Sequence, residues 1–270
     1  MDLGLKGRAC VVTGASRGIG RETARLLCAE GASVLLVGRS EERLAAAREE
    51  AVSAGAEAGG RAEILAQDVT AGDAGERMLA AASEAFGGLD VLVNNAGAAQ
   101  WRHLDDVPDE DWYAQYELNV MAPLRAMRAA APPMAERGWG RIVNVCSTAG
   151  KRPSAAMPEY SVAKAAELSL SRLFADRYAK QGVLVNAICP GPVEAELWME
   201  PGGLLDQSQE MTGAESREKA LETAGAKRPI GRLAEVGEIA AAIVFLCSER
   251  ASYVSGAAWS VDGGTVQVII

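Results

Sequence analysis

Short apolar runs that read as buried strands alternate with longer helical patterns along the whole of this 270-residue chain. The runs RACVVT, SVLLVG and VLVNAI are apolar almost throughout and rich in β-branched residues, which is typical of strands covered on both faces. Because parallel strands need crossover connections, this alternation predicts an α/β fold with one parallel sheet between two layers of helices. No internal repeat interrupts the pattern, so we expect a single domain over residues 1–270.

A glycine-rich turn, GASRGIG, follows the first strand-like run and leads into a helical pattern. Glycines permit a tight turn and a close approach of the backbone to a phosphate, and the helix N-terminus offers free N–H groups to a pyrophosphate. The spacing differs from the commoner G-x-G-x-x-G, and such a turn can also be purely structural. Its place between strand and helix favours dinucleotide binding. The candidate contacts in this turn are Gly14, Ser16, Arg17, Gly18, Ile19 and Gly20.

The second strand-like run, residues 33–38, is followed by Arg39. An acidic residue at this place would hold the ribose hydroxyls of NAD, and none is present. Arg17 in the glycine-rich turn is a possible second cation. Two guanidinium groups suit a 2′-phosphate, so the sequence predicts a preference for NADP(H) over NAD(H), whereas an arginine that only caps the strand in solvent is the alternative.

Polar residues also follow the third and fourth strand-like runs, at 62–67 and 89–93. The carboxylate of the Asp68-Val69 pair can meet an adenine amino group. In the sequence NNAG, asparagine side chains can brace neighbouring loops, while alanine and glycine leave room for a flat ring or a ribose; a plain turn is the alternative. The candidate cofactor contacts at these two strand ends are Asp68, Val69, Asn95, Ala96 and Gly97.

The stretch from 140 to 164 carries residue types suited to proton transfer. Ser147 follows an apolar run, and Tyr160 and Lys164 lie four residues apart in a helical pattern, which places both side chains on one helical face. A phenol has an ordinary pKa of about 10, and a nearby cation lowers that pKa. Tyr160 can then exchange a proton with a substrate oxygen that Ser147 holds. An exposed helix pair beside a loop serine is the alternative.

A helical pattern from 109 to 134 contains Asn119, which is more comfortable there with a specific partner such as a bound water. After the run 183–188 comes the segment CPGPV, and the chain then looks irregular to about residue 232. Loops of this length are uncommon in compact domains unless they serve as lids or binding loops. We expect a substrate lid at about 192–227; apolar residues that only pack the segment on its own domain are the alternative.

Charge and composition narrow the range of partners. The net charge of −9 and pI near 4.9 disfavour nucleic acid and anionic membranes as partners, and no apolar run approaches the length of a membrane span. The five cysteines lack a C-x-x-C pair and read as buried thiols in a reduced compartment, here the cytoplasm. With His103 as the single histidine, no metal site is expected. The apolar end at Ile269 and Ile270 predicts burial against another subunit, in a homotetramer or homodimer.

Six motifs together closely resemble those of the short-chain dehydrogenase/reductase family, including its 3-oxoacyl-carrier-protein reductases. In chain order they are TGASRGIG at 13–20, NNAG at 94–97, Ser147, YSVAK at 160–164, PGPV at 190–193 and VDGG at 261–264. The likeness covers essentially the whole chain. It implies a Rossmann-like, doubly wound parallel sheet of about seven strands that binds a nicotinamide dinucleotide and interconverts a ketone and a secondary alcohol.

The resemblance also implies roles for individual residues. Asn119, Ser147, Tyr160 and Lys164 would be catalytic, with Tyr160 as the proton donor and Asn119 as the anchor of a water. The implied cofactor contacts beyond the strand ends already named are Tyr160, Lys164, Pro190, Gly191 and Val193.

Two features depart from the family pattern. Where the family usually has a Thr or Ser that holds the nicotinamide carboxamide, this chain has Ala195, and Glu194 or Glu196 can act there instead. The segment 192–227 is also longer than in compact members that reduce carrier-bound 3-oxoacyl groups, which favours a different or bulkier ketone. An NAD-dependent alcohol, sugar or sterol dehydrogenase of the same family is the alternative.

Two rival functions belong to other classes. The sequence Gly14 to Gly18 matches the G-x-S-x-G elbow of serine hydrolases, but that elbow needs strands before it, and His103 is the only candidate base. A dinucleotide-binding regulator without catalysis is expected to have lost the Ser, Tyr and Lys constellation, which is intact here.

Overall fold

The computed structural model describes residues 1–267, and within that range seven parallel strands form one sheet in the order β3-β2-β1-β4-β5-β6-β7. The strands are β1 (Ala9–Thr13), β2 (Ser33–Gly38), β3 (Arg61–Ala66), β4 (Val91–Asn94), β5 (Gly140–Val145), β6 (Val183–Pro190) and β7 (Ala258–Val261). Because β1 pairs with β2 on one side and β4 on the other, the chain winds outward in both directions from β1. The predicted doubly wound α/β fold is confirmed.

Ten α-helices connect and cover the strands in the described range. They are α1 (Gly18–Ala29), α2 (Glu41–Gly55), α3 (Ala74–Phe86), α4 (Asp109–Tyr116), α5 (Ala122–Glu136), α6 (Pro158–Tyr178), α7 (Glu196–Met199), α8 (Leu204–Thr212), α9 (Arg217–Ala226) and α10 (Val236–Cys247). Helices α1, α2 and α10 pack on one face of the sheet, and α3, α5 and α6 pack on the other.

The apolar surroundings of the sheet explain why its strands could be predicted from the sequence. Within β1, Cys10 and Val12 belong to one apolar core and Val11 to the other, since successive side chains point to opposite faces. Both faces are covered, so both sets of side chains are apolar. All five cysteines are buried free thiols, as predicted.

The helical pattern expected over 109–134 is confirmed, since the chain is helical from Asp109 to Glu136. A π-helical segment, Glu117–Met121, lies within it and separates α4 from α5. One predicted segment is wrong. The stretch expected to be irregular, after residue 192, contains α7, α8 and α9 instead. These helices are short and punctuated: Gly213 ends α8 in the left-handed conformation (φ 68°), and the Ser216 hydroxyl caps α9 by accepting from the Lys219 N–H. Such short helices leave little periodic signal in the sequence.

The prediction that Ile269 and Ile270 are buried at a subunit contact lies outside the described residues. Across residues 1–267, every helix is too short or too polar to cross a membrane.

Candidate active site

A cavity of about 970 Å³ opens at the carboxyl ends of the strands, the edge at which open parallel sheets bind ligands. It brings together most of the residues singled out in the sequence. Those that line it are Gly14, Ser16, Arg17, Gly18, Ile19, Arg39, Asp68, Val69, Asn95, Ala96, Gly97, Ser147, Tyr160, Lys164, Pro190, Gly191 and Val193. Gly20 and Asn119 do not line the cavity. Gly20 lies against Gly14 and Asn95, and Asn119 lies beside Gly97.

The turn between β1 and α1 is built so that only glycine fits at key positions. Gly14 has a φ of 65° and Gly18 a φ of 53°, in the left-handed region that side chains rarely adopt. A Cβ at Gly20 would lie 2.5 Å from the Gly14 carbonyl oxygen and would also clash with the amide of Asn95. The backbone therefore forms a close cradle at the N-terminus of α1, which fits the pyrophosphate of a dinucleotide.

Thr13 links this turn to the end of β4, a role the sequence alone did not reveal. Its hydroxyl accepts from the backbone N–H groups of Asn95 (2.9 Å) and Ala96 (3.1 Å), and the Asn95 amide donates to the Thr13 carbonyl (2.9 Å). The predicted bracing by Asn95 is confirmed. Asn94 instead lies inside the sheet, where it donates to the Asn144 side chain (2.8 Å).

The two arginines expected at a 2′-phosphate differ in their surroundings. Arg39 is exposed at the end of β2, on the cavity wall. Arg17 donates to the carboxylate of Glu200 at 2.7 Å, and the same carboxylate lies 3.7 Å from Arg43. A residue after α7, 183 positions along the chain, thus faces the glycine-rich turn. Sequence spacing gave no sign of this contact.

Asp68, after β3, is held by its own turn. Its carboxylate accepts from the N–H (2.9 Å) and the hydroxyl (2.7 Å) of Thr70. These hydrogen bonds, helped by the charge of Arg39, hold the pKa of Asp68 below its ordinary value. The carboxylate therefore remains an acceptor at neutral pH.

Ser147, Tyr160 and Lys164 meet at the ends of β5 and α6. Ser147 follows β5 by two residues, and its hydroxyl accepts from the Ala149 N–H at 3.1 Å. Tyr160 and Lys164 occupy the first two turns of α6, and the Lys164 ammonium lies 5.7 Å from the centre of the Tyr160 ring. The face-sharing predicted from their spacing is confirmed.

Lys164 is fixed by a buried ion pair that the sequence analysis missed. Its ammonium donates to the Glu167 carboxylate at 2.7 Å and to the Val145 carbonyl at 2.9 Å, and the side chains of the ion pair are only 3% and 2% exposed. Burial by itself would lower the pKa of Lys164, but the negative charge of Glu167 and its hydrogen bond to the ammonium, with smaller contributions from other groups, raise it above the ordinary value. Lys164 is therefore a permanent cation.

The pKa of Tyr160 moves in the direction opposite to the one predicted. Burial raises the pKa of the phenol, while the Lys164 charge and the nearby Ser147 hydroxyl lower it, and burial prevails. The expectation from the Tyr and Lys spacing is right about the effect of the cation and wrong about the net direction of the pKa shift, because the spacing does not reveal how strongly the folded surroundings desolvate the phenol. In this structure Tyr160 is a neutral phenol at neutral pH.

Asn119 lies in the π-helical segment, a form that is frequent at functional sites. Its amide N–H group donates to the Gln115 carbonyl (3.0 Å) and side chain (2.7 Å). Its side-chain oxygen is buried without a protein partner among residues 1–267 and lies 3.5 Å from the position a Cβ of Gly97 would take. This unsatisfied acceptor supports the expectation of a water partner.

Apolar residues of the segment 192–227 form a small cluster beside the catalytic residues, together with residues from the loop after β4. Trp198 packs there in a T-shaped contact with Trp101, with ring centres 6.5 Å apart, and Tyr160 packs against the same cluster. At its start, Ala195 offers no hydroxyl, and the Glu196 carboxylate lies 3.2 Å from where a Cβ of Gly18 would be. The segment therefore covers the region between the glycine-rich turn and Tyr160.

The hydrolase alternative finds no support in this geometry. Ser16 lines the cavity beside Gly38, at the end of β2. His103 is exposed in the loop after β4 and is not among the residues that line the cavity. A serine nucleophile needs a base within hydrogen-bonding reach, and the described residues place none beside Ser16.

Comparison with known proteins agrees with the geometry. The short chain dehydrogenase family model matches residues 8–202. The chain is 36% identical to the D-beta-hydroxybutyrate dehydrogenase of Cupriavidus necator, over 97% of this chain and 99% of that protein. It is 34% identical to the 3-oxoacyl-[acyl-carrier-protein] reductase of Vibrio cholerae, over 98% and 100%.

A solved structure of L-sorbose reductase from Gluconobacter frateurii, complexed with NADPH and L-sorbose, is also similar. It superposes with a TM-score of 0.91 at 34% identity and covers 100% of both chains. The fold, the carboxyl-edge cavity and the relatives all lead to the same conclusion. This chain belongs to the short-chain dehydrogenase/reductase family and is an NAD(P)-dependent oxidoreductase.

Proposed function

We propose that this enzyme interconverts a ketone and a secondary alcohol, with Tyr160 as the general acid and base and NADP(H) as the preferred cofactor. The observation that carries the proposal is the meeting of the Tyr160 phenol, the permanent Lys164 cation and the Ser147 hydroxyl in one cavity. The named relatives act on hydroxybutyrate, a 3-oxoacyl group and L-sorbose, which all carry a hydroxyl or ketone at the reacting position.

In the proposed mechanism, Ser147 donates a hydrogen bond to the substrate oxygen and fixes its position. Tyr160 gives its proton to that oxygen in the reduction and takes it back in the oxidation. Lys164 stabilises the phenolate that results, because its buried positive charge lies close to the phenol ring. The nicotinamide dinucleotide, when bound, supplies or accepts the hydride. Asn119 holds a water through its unpaired oxygen, and that water returns protons to the site.

The proposed cofactor site runs from β3 to β6 along the cavity. The glycine-rich turn would hold the pyrophosphate, Asp68 and Val69 the adenine, and Lys164 the ribose of the nicotinamide. The N–H group of Val193 has no acceptor among the backbone and side-chain hydrogen bonds of residues 1–267, and it can take the role that a hydroxyl at position 195 would otherwise share. Pro190 and Gly191 would complete the nicotinamide end of the cofactor site.

The preference for NADP(H) rests on two guanidinium groups and the lack of a carboxylate at the end of β2. Arg39 is exposed there, and Arg17 can turn from Glu200 to a 2′-phosphate, which binds a guanidinium in two-pronged fashion. The alternative, an NAD-dependent dehydrogenase, is favoured by the Glu200 contact, since that carboxylate already neutralises Arg17. Values of kcat/KM with NADPH and NADH decide between them, and an equal or higher value for NADH would refute the preference.

We further propose that the segment 192–227 is the substrate lid. The packing of Tyr160 and Met157 against its apolar cluster supports this assignment. Assembly as a homotetramer or homodimer remains a prediction, which light scattering can test. Location in the cytoplasm also remains a prediction, which cell fractionation can test.

The central experiment replaces Tyr160 by Phe and Tyr113 by Phe as the matched control, because Tyr113 is 73% exposed and lies outside the cavity. Removal of the Tyr160 hydroxyl should reduce kcat by at least about a hundredfold while cofactor affinity is kept. The Tyr113 variant should match the parent. Turnover of a ketone panel by Tyr160→Phe at the parent rate would refute the mechanism.

A further inference from the structure

A partly buried arginine, Arg228, lines the active-site cavity with most of its hydrogen-bonding capacity unused. It follows α9, and one of its terminal nitrogens donates to the Ala224 carbonyl. Its Nε is buried without an acceptor among residues 1–267. The one hydrogen bond recorded for its side chain in that range is the one to Ala224, so its second terminal nitrogen has no protein acceptor there. Within the same range no carboxylate forms an ion pair with it; the nearest arginine along the chain, Arg232, is by contrast held by both oxygens of Glu238 at 2.7 Å.

The position of Arg228 in the fold separates it from the cofactor phosphates. Pro229 and Ile230, the residues after it, pack on Gly263 and Gly264 in the loop that follows β7. In the strand order, β7 lies beyond β6 and β5, whereas Arg17 and Arg39 follow β1 and β2 on the other side of Ser147. Arg228 therefore belongs to the substrate half of the cavity.

Of the four other cations that line the cavity, three already have a partner or a proposed ligand. Arg17 pairs with Glu200 and Lys164 with Glu167, and Arg39 lies at the expected 2′-phosphate position. Arg152 is exposed at the mouth on the loop after Ser147, and Lys151 of that loop donates to the Ala258 carbonyl of β7. Arg152 thus adjoins a residue that contacts β7, and Arg228 precedes residues that pack on the loop after β7.

An enclosed guanidinium that lacks a counter-ion is costly, because burial disfavours a charge that no acceptor compensates. Burial lowers the pKa of Arg228, and no acid among residues 1–267 opposes this. An arginine nevertheless stays charged at any physiological pH. A ligand that brings its own negative charge would satisfy the unused donors, and a carboxylate matches the planar guanidinium through two parallel hydrogen bonds.

Resting on the proposed function, we infer that the substrate is an oxo or hydroxy acid whose carboxylate is bound by Arg228, with Arg152 attracting it at the mouth. The apolar residues that line the same cavity and cluster with Tyr160 suit a compact carbon skeleton. They are Met157, Leu197 and Trp198. Arg228 is thus a specificity residue, and the reacting carbon lies at the other end of the substrate.

The first test measures binding without turnover. Calorimetric titration of the NADP⁺-loaded enzyme compares cyclohexanecarboxylate with cyclohexanecarboxamide, two probes of the same shape that differ in charge. The acid should bind at least about tenfold more tightly, since hydrogen bonds to charged groups are stronger than those to neutral ones. Equal binding of the two probes, or failure of both to bind, would overturn the inference.

Substitutions then test whether Arg228 causes the preference for the acid over the amide. Arg228→Gln should remove the preference for the acid, and Arg228→Lys should keep only part of it, because an ammonium lacks the two-pronged geometry. The matched control Arg232→Gln removes an arginine that is outside the cavity and should leave the preference unchanged. A preference that survives in both Arg228 variants would overturn the assignment. If Arg228→Gln fails to fold, the Lys variant carries the comparison.

Turnover separates this inference from the proposed function. The wild-type enzyme is assayed with NADPH on 4-oxocyclohexanecarboxylate and its carboxamide. Reduction of both at the same kcat/KM would refute the inference and support the function. Tight, Arg228-dependent binding of the acid without reduction of any ketone in a wider panel would refute the function and support the inference.

Discussion

Replacement of Glu167 by glutamine is expected to lower the pKa of the Tyr160 phenol. Glu167 is the counter-ion of Lys164, and its negative charge raises the pKa of both Tyr160 and Lys164. Glutamine keeps an oxygen that can accept from the Lys164 ammonium but removes the charge. The phenolate then becomes the nearest negative partner of the buried cation, so it should form at lower pH.

The size of the effect follows from two distances. The Lys164 nitrogen is 5.7 Å from the Tyr160 ring centre and 2.7 Å from the Glu167 oxygen. The carboxylate oxygen therefore lies no farther than about 8.4 Å from the ring, where a unit charge at an effective dielectric constant of about 20 contributes about 2 kcal/mol. Since about 1.4 kcal/mol corresponds to one pKa unit, the pKa of Tyr160 should fall by about 1.5.

The direct assay is a pH titration of phenolate absorbance. Subtracting the curve of the Glu167→Gln, Tyr160→Phe double variant from that of Glu167→Gln isolates Tyr160. In alcohol oxidation the phenolate accepts the proton, so the rising limb of the pH profile should move to lower pH by the same amount.

A second carboxylate on α6 provides the control. Asp176 is paired with Arg172 at 2.8 Å on the exposed side of the helix, so Asp176→Asn also removes one acid from an ion pair. That variant should leave the titration of Tyr160 unchanged. A Tyr160 pKa that stays the same or rises in Glu167→Gln would refute the electrostatic reasoning.

Three further substitutions test the cofactor site and its surroundings. Glu200→Gln should tighten NADP(H) binding roughly two- to fivefold without affecting NAD(H), because it frees Arg17 from a half-exposed ion pair; cofactor fluorescence measures this. Gly20→Ala should weaken both cofactors and cost roughly 1–3 kcal/mol of stability in denaturant unfolding, since its Cβ would lie 2.5 Å from a backbone oxygen. Ala195→Thr should add an N-cap to α7 and raise Tm by roughly 2–4 °C in calorimetry.

Each of these substitutions has a matched partner in the chain. Glu210→Gln changes an exposed acid of the same segment and should leave cofactor affinity unaltered. Gly72→Ala adds a Cβ where no atom lies within 4 Å and should be nearly neutral. Ala195→Val adds the same bulk as threonine without the hydroxyl. Equal behaviour of a substitution and its partner would contradict the reason given for it.

The strand ends were predictable from the sequence because each buried strand carries a continuous apolar signal that stops where polar residues begin. Ser147 and Asn95 were found in this way, and the spacing of Tyr160 and Lys164 placed them on one face of α6. A chemical pattern with fixed local spacing survives in the linear sequence. The fold and the core of the candidate site were therefore accessible.

What could not be predicted depends on burial and on contacts between distant segments. Glu167 lies three residues after Lys164, a spacing that on most helices marks an exposed pair, and only the packing of α6 on the sheet shows that both side chains are enclosed. The contact of Glu200 with Arg17 joins residues far apart in the chain. The raised pKa of Tyr160 has the same origin, because desolvation is a property of the folded surroundings.

The edge-to-face contact of Trp101 with Trp198 gives the protein an internal optical probe. One indole belongs to the loop after β4 and the other to α7, so their mutual orientation reports directly on the position of the segment 192–227. Indole rings this close couple their electronic transitions, and the resulting near-ultraviolet circular dichroism depends on the angle between them. Movement of the segment upon ligand binding can therefore be followed in the unlabelled protein, with Trp101→Phe as the spectroscopic blank.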